Sequence, residues 1–95
     1  MAKQYKNKKD FLIIQMNHEE AVKIWGEYGG VGICEHCNQV KAKGYYVACM
    51  NDYLCEACFK EWLKDAVNYE EDRSYEKRWY NKTISDLKKA GLWER

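Results

Sequence analysis

The chain has 95 residues, a formal net charge of +1 and no proline. This length fits one domain, and a content of 46% hydrophobic and 15% aromatic residues is sufficient to fold it. The near balance of 16 basic and 15 acidic residues excludes bulk charge as a reason to expect a nucleic-acid or membrane partner.

The first ten residues are polar and carry four of the lysines, Lys3, Lys6, Lys8 and Lys9. They contain no hydrophobic stretch of the kind found in a signal peptide, and the apolar run at 11–14 is too short to span a bilayer. We therefore predict a flexible basic N-terminus over residues 1–10, a single domain over 11–92, a cytoplasmic location and no membrane partner.

Residues 11–16 are mostly apolar and β-branched, which predicts a short strand. Asn17 then has the properties of a helix N-cap, with Glu20 three residues later completing a capping box. Apolar residues follow at helical spacing, namely Ala21, Ile24, Trp25 and Tyr28. This pattern predicts an amphipathic helix that ends at the glycines of residues 29–32.

Two Cys-x-x-Cys pairs, Cys34–Cys37 and Cys55–Cys58, are separated by 17 residues. This spacing is typical of a structural zinc site in which four thiolates complete a tetrahedron. In a reducing compartment, paired cysteines are more often metal ligands than disulfides. We therefore predict one structural Zn²⁺ held by these four cysteines.

Other chemistries explain the cysteines less well. A redox dithiol needs one pair and leaves the second unexplained, and iron–sulfur sites usually crowd three ligands together. A catalytic zinc keeps an open position, which four thiolates would close, and no hydrolase or phosphate-binding motif accompanies the pairs. The sequence therefore predicts a protein that is not an enzyme, with a thiol redox protein as the less favoured alternative.

The segment between the pairs resembles a β-hairpin. Residues 45–50 have strand composition, Asn51 and Asp52 form a turn, and Tyr53 starts the returning strand. Strand alternation predicts that the fifth cysteine, Cys49, is a buried thiol on the face of Tyr45. His36, between two ligands, is expected at the surface as a contact residue.

Residues 55–72 predict the longest helix, with Cys55 and Cys58 in its first turn, where the helix dipole favours thiolates. Its apolar stripe comprises Phe59, Trp62, Leu63, Ala66 and either Val67 or Tyr69. Ser74 is a candidate N-cap for a last helix that ends near Gly91.

The last helix is expected to have one apolar and one basic side. The apolar side comprises Trp79, Tyr80, Thr83, Ile84 and Leu87. The basic side comprises Arg78, Lys82 and Lys89, which are candidate contacts for nucleic acid or an acidic partner. Trp93 follows Gly91 and is expected to be exposed as an anchor for a partner protein.

The two pairs, with Tyr53-Leu-Cys-Glu-Ala-Cys58 leading into a helix, resemble a treble-clef zinc finger over about residues 33–65. The spacing is similar to that of GATA-type fingers, which implies DNA binding, and to the amino-terminal zinc domain of ClpX unfoldases, which implies dimerisation and protein binding. Residues 40–44 are only mildly basic and residues 70–72 are acidic, unlike GATA-type fingers. Only the four metal ligands are therefore transferred to this sequence.

Together these features predict a small α+β domain. It comprises an N-terminal strand and helix, a treble-clef-like knuckle and hairpin, and two further helices. We predict a zinc-stabilised protein-interaction module, an accessory or regulatory protein of bacterial or phage origin whose partner is another protein or a second copy. The alternative is a DNA-binding transcriptional regulator.

Overall fold

The computed structural model describes residues 1–26 and 33–94. Within these ranges the chain is a small α+β protein with an antiparallel sheet, which confirms the predicted class. The strands are β1 (Lys3–Tyr5), β2 (Ile13–Asn17), β3 (Lys43–Val47) and β4 (Asp52–Cys55). The helices are α1 (His18–Trp25), α2 (Glu56–Asp65) and α3 (Arg73–Lys89), with a 3-10 turn at Glu70–Asp72.

The strands lie in the sheet in chain order, each antiparallel to its neighbour. β3 and β4 form the predicted hairpin between the cysteine pairs, with Tyr46 opposite Tyr53. The turn places Asn51 in the left-handed region at φ 54°, which asparagine tolerates. The Tyr46 hydroxyl donates a hydrogen bond of 2.6 Å to Asn51 Oδ1, which ties the turn to the strand.

Alternation along the strands creates an apolar core on each face of the sheet. One core contains Ile14 and Tyr46 and is covered by α1 and α3; we call it the helical-pair face. The other contains Ile13 and Val47 and is covered by α2; since Cys34 and Cys55 belong to it, we call it the cysteine face. The two faces therefore depend on different elements for their burial.

The start of α1 confirms the predicted capping box. Asn17 Oδ1 accepts a hydrogen bond from the Glu20 amide at 2.8 Å, and Glu20 Oε1 accepts one from the Asn17 amide at 2.9 Å. The helix ends at Trp25, and the predicted continuation to Tyr28 and the glycine stop lie outside the described residues.

The N-terminal residues are held by contacts with the rest of the fold, contrary to the expectation of a flexible segment over residues 1–10. β1 pairs with β2, and Ala2 is fully buried. The Ala2 amide donates to Leu92 O at 2.8 Å, and Ala2 O accepts from the Glu94 amide at 2.7 Å. These long-range hydrogen bonds tie the two ends of the chain together, a pairing that no local pattern could indicate.

The same pairing corrects the expectation for Trp93. This residue forms a parallel bridge with Ala2 and packs against the helical-pair face. It is half-buried in the domain, so the premise of an exposed tail anchor is wrong.

α2 is shorter than predicted. It ends at Asp65, and Ala66 adopts an extended conformation. Val67 and Tyr69 are consequently exposed to 60% and 54% instead of continuing the buried stripe. The longest helix of the described residues is α3. Asp72 occupies its N-cap position without a capping hydrogen bond from the side chain, and the predicted cap, Ser74, lies inside the helix.

The predicted apolar side of α3 is confirmed: Tyr80, Thr83 and Leu87 are buried, and Trp79 and Ile84 are partly buried. The pattern missed Glu76, which is only 1% exposed. No helix in the described ranges is long and apolar enough to cross a membrane.

Candidate metal centre

The four predicted ligands, Cys34, Cys37, Cys55 and Cys58, come together at the edge of the cysteine face. All four sulfur atoms lie within 4.8 Å of one another, and the sulfurs of Cys37 and Cys55 are 3.9 Å apart. Zinc–sulfur bonds of about 2.3 Å in a tetrahedron would separate the sulfurs by about 3.8 Å. The cluster therefore has the size that one four-coordinate metal ion requires.

The first pair lies in a tight turn closed by a bridge between Ile33 and Val40. Cys34 O accepts from the Asn38 amide at 2.8 Å, and the Cys34 amide donates to Gln39 O at 3.0 Å. Asn38 adopts φ 59°, the left-handed conformation that reverses the chain after Cys37. This turn directs two thiols to the same side.

The second pair lies where the hairpin meets α2. Cys55 is the last residue of β4 and the N-cap of α2, and Cys58 lies in the first turn of that helix. The positive end of the helix dipole favours thiolates at this position. The strand composition before Cys55 and the helical apolar stripe after Cys58 predicted this junction between strand, ligand and helix.

The surroundings of Cys34 favour its thiolate. Burial tends to raise the pKa, but hydrogen bonds from the backbone amides of Cys55, Cys37 and His36 outweigh it and lower the pKa to about 6. Burial and the neighbouring cysteines raise the pKa of Cys58 instead. Four negative sulfurs cannot crowd together without a cation, and a metal ion would remove this repulsion because it binds thiolates.

Glu35 holds the cysteine turn against the hairpin, a role the sequence analysis missed. Its amide donates to Tyr53 O at 3.0 Å, and its carboxylate accepts from the Tyr53 amide at 3.2 Å. Burial, and then the nearby Asp52 carboxylate, raise the pKa of Glu35 to about 7. These contacts orient the backbone that carries the ligands, as the groups around metal ligands commonly do.

The donor set fits a structural zinc ion. Four cysteine sulfurs are the usual ligands of closed zinc sites, and such sites keep no position for substrate. When bound, the ion would supply a link between the cysteine turn, the hairpin and α2. The residues themselves provide the remaining order through the Glu35–Tyr53 contacts and the turn at Asn38.

Cys49 does not join this cluster. It lies in the turn after β3 and not on the strand, but it packs on the same face as Tyr45 and Val47, as strand alternation predicted. It is partly buried against the cysteine face. Burial, followed by the carboxylates of Glu76 and Asp72, raises its pKa to about 11. His36 is exposed, as expected.

The predicted basic residues lie far from the cysteines in the fold, on α3 across the sheet. Arg78, Lys82 and Lys89 are all exposed. Lys82 pairs with Asp86 at 3.1 Å, and the Arg78 guanidinium lies 6.0 Å from the Trp79 ring centre. They therefore contribute nothing to the metal centre.

The cysteine cluster is thus the chemically distinctive feature of the described residues. It can hold a metal ion in a closed shell of sulfur, and it joins elements that are distant in sequence. No protein-family profile, curated protein or solved structure matches the chain.

Proposed function

We propose that this chain is a zinc-stabilised, non-enzymatic protein-interaction module in which one structural Zn²⁺ is held by Cys34, Cys37, Cys55 and Cys58. The observation that carries the proposal is the gathering of four cysteine sulfurs within 4.8 Å. Four thiolates saturate zinc, which supports a structural over a catalytic role. Such a module would act as an accessory or regulatory protein.

The order of elements supports a treble-clef arrangement. A cysteine turn is followed by the β3–β4 hairpin, and the second pair opens α2. This order lets one metal ion fix the hairpin to the helix start. In small domains, structural zinc contributes apparent binding energies of about 10–16 kcal/mol, which exceeds their usual stability.

Exposed apolar side chains near α2 support a role in protein binding. Val67 and Tyr69 follow the end of the helix and are more than half exposed, and Met50 in the neighbouring turn is 36% exposed. Together with Trp62 they line one continuous depression. Apolar side chains grouped in this way commonly mark a binding surface.

The test combines metal analysis with capture of a partner. Native mass spectrometry of the purified protein should show one zinc ion per chain. The zinc-loaded protein should capture a protein from a lysate of its host, resistant to nuclease, and should lose it after chelation. Absence of zinc, or capture that disappears with nuclease treatment, would refute the proposal.

A second candidate is binding to DNA, which is favoured by one arrangement on α3. Arg78, Lys82 and Lys89 are spaced i, i+4 and i+11, so they share one exposed side of the helix. Contacts with phosphates would make affinity fall steeply with salt, and the slope would decrease when Arg78 or Lys82 is replaced. A labelled duplex that shows no shift at low salt would exclude this candidate.

A further inference from the structure

A groove runs beside the metal centre, along α2 and the β3–β4 turn. Its first part is a cavity of about 380 Å³ that reaches Cys58, and its second part is a cavity of about 240 Å³ beyond the end of α2. Met50, Trp62 and Ala66 line both parts, so they form a common apolar floor. We call the two cavities together the α2 groove.

The charged residues of the α2 groove are acidic. The first cavity is lined by Glu35, Asp52, Glu61 and Asp65. Asp72 and Glu76 line the second cavity. Among the described residues, no lysine or arginine lines either cavity, although the chain carries 16 of them. Lys9, Lys64 and Arg73 contact Ala66, Glu61 and Glu76 from outside the groove, so the six carboxylates outnumber the cations near it.

Two of these carboxylates, Asp65 and Glu61, contribute little to the stability of the fold. Asp65 is the last residue of α2, where the negative end of the helix dipole disfavours an acidic side chain; the Lys9 ammonium offsets part of this effect, because it binds the neighbouring carbonyl oxygens. Glu61 is exposed and has one partner, Lys64 at 3.4 Å, in a solvent-exposed pair that contributes little to stability. Both are therefore available to a positively charged ligand.

We propose that the α2 groove binds a segment of a partner protein in which an apolar side chain is flanked by lysine or arginine. The apolar side chain would contact Met50 and Trp62, and the basic groups would lie against Glu61 and Asp65. The inference rests on the proposed function, because a zinc ion bound by four thiolates would carry a net negative charge at Cys58 and add to the same field.

Charge complementarity also selects between possible occupants. Nucleic acid would be repelled by the carboxylates, whereas a basic segment gains in both association rate and specificity. The size supports a short segment, because cavities of about 300–1,000 Å³ typically hold a ligand or a few side chains. A second copy of the chain could reach the groove with one of its own lysines. Sedimentation distinguishes this dimer from binding of a partner protein.

The experiment measures binding of three synthetic peptides of equal length to the zinc-loaded full chain by calorimetry. The first places a leucine or phenylalanine between arginines and lysines, the second replaces the basic residues with acidic ones, and the third replaces the apolar residue with serine. Only the first peptide should bind, and its affinity should decrease at least fivefold in the double variant Glu61→Gln and Asp65→Asn. Met50→Ala should weaken binding as well.

The matched control is the double variant Glu19→Gln and Glu94→Gln, which also removes two exposed carboxylates, at positions outside the groove. It should bind the first peptide like the parent chain. Amide chemical shifts should change at Glu61 and Asp65 and remain constant in the second half of α3, at Lys82 and Lys89, which lies outside the groove.

Several results would overturn the inference. One is that the first peptide shows no binding, or that the second or third peptide binds as tightly as the first. Another is that the two double variants lose the same affinity for the first peptide. A third is that sedimentation shows a dimer that buries the groove. If zinc is present and a partner is captured equally by the groove variant, the proposed function stands and the groove assignment is refuted. If zinc is absent, the proposed function fails instead.

Discussion

The carboxylate of Glu76, on α3, accepts a hydrogen bond of 2.9 Å from the backbone amide of Leu12, which immediately precedes β2. Glu76 is almost completely buried, and its second oxygen lies 3.7 Å from the Arg73 guanidinium. A buried carboxylate is costly unless hydrogen bonds and charges compensate it. This contact therefore fixes α3 to the start of the sheet across a sequence separation of 64 residues.

Replacing Glu76 should reveal that contact. Glu76→Ala leaves the Leu12 amide without this acceptor and opens a cavity, so we expect a loss of about 2–4 kcal/mol in the free energy of unfolding. Glu76→Gln keeps an oxygen acceptor and should lose about 1 kcal/mol. Urea unfolding of the zinc-loaded protein measures both. Exposed Glu71→Gln is the control, and equal stability of all three variants would contradict the assignment.

Lys9 has a comparable role at the end of α2. Its ammonium group donates to the carbonyl oxygens of Leu63, Lys64 and Ala66 at 2.7, 3.0 and 2.8 Å. These groups have no partner within a helix that stops at Asp65, and a cation there also complements the helix dipole. Lys9 thus explains why α2 can end where it does.

We expect Lys9→Met to lower the free energy of unfolding by about 1–2 kcal/mol, because it removes three hydrogen bonds while keeping the aliphatic stem. Lys8→Met removes the same charge from an exposed neighbour and should change stability by less than about 0.5 kcal/mol. Chemical unfolding at matched zinc content compares them. Identical losses in the two variants would show that only net charge matters.

The sequence could predict what local patterns determine. The capping box of Asn17 and Glu20, the hairpin and the four ligands each depend on residues close together in the chain or on a known spacing. The apolar side of α3 follows from helical periodicity in the same way. All of these agree with the structure.

The remaining features depend on long-range contacts. The apolar stripe of α2 continues in sequence as far as Val67, but the chain leaves the helix at Ala66, where Lys9 and the Asn68 side chain join it to the N-terminal segment. Nothing near Lys9 in the sequence distinguishes it from Lys8. The burial of Glu76 could not be predicted from the sequence either, because a glutamate on a helix is normally exposed.

Gly44 is required by close packing between β3 and β4. A Cβ atom at this position would overlap the ring of Tyr53, whose hydroxyl donates to Met16 O at 3.3 Å in the buried core. We expect Gly44→Ala to reduce the free energy of unfolding by about 1–3 kcal/mol through overpacking. Thermal and urea unfolding of the zinc-loaded protein would measure this loss.

Gly26→Ala is the matched control for that substitution. Gly26 adopts φ −55°, and the nearest side-chain atom to an added Cβ, Val22 Cγ1, would be 3.7 Å away in ordinary contact. The free energy of unfolding of the Gly26→Ala variant should stay the same or rise slightly, because alanine reduces the conformational freedom of the unfolded chain. A Gly44 variant as stable as the Gly26 variant would show that Tyr53 moves aside without cost.

The metal centre should stabilise the cysteine face more than the helical-pair face. Cys34→Ser or Cys55→Ser should abolish zinc binding, whereas Cys49→Ser should retain one ion, because Cys49 lies outside the cluster. Chelation should unfold at least residues 33–60, with hydrogen exchange rising there before it rises in α3. Native mass spectrometry and exchange of the parent chain check this. An unchanged circular dichroism spectrum and melting temperature after chelation would refute it.

The alkylation rate of the fifth cysteine, Cys49, should depend on pH. The pKa of Cys49 is raised from 9.0 to about 11, chiefly by burial and then by the carboxylates of Glu76 and Asp72. At pH 8 this leaves on the order of 100-fold less thiolate, and since a more basic thiolate is a better nucleophile, the net alkylation rate should be about tenfold lower. Mass spectrometry of digested protein locates the label on Cys49.

The pH profile gives a sharper test of the same shift. Alkylation of Cys49 should continue to accelerate above pH 9, where an unfolded control levels off. Because the folded pKa lies above the unfolded value, this thiol stabilises the fold below pH 9, and that contribution is lost as pH rises toward 11. Cys49→Ser should therefore flatten the decline in stability over this range. A rate that levels off near pH 9 in the folded protein would show that neither burial nor the carboxylates of Glu76 and Asp72 raise the pKa of Cys49.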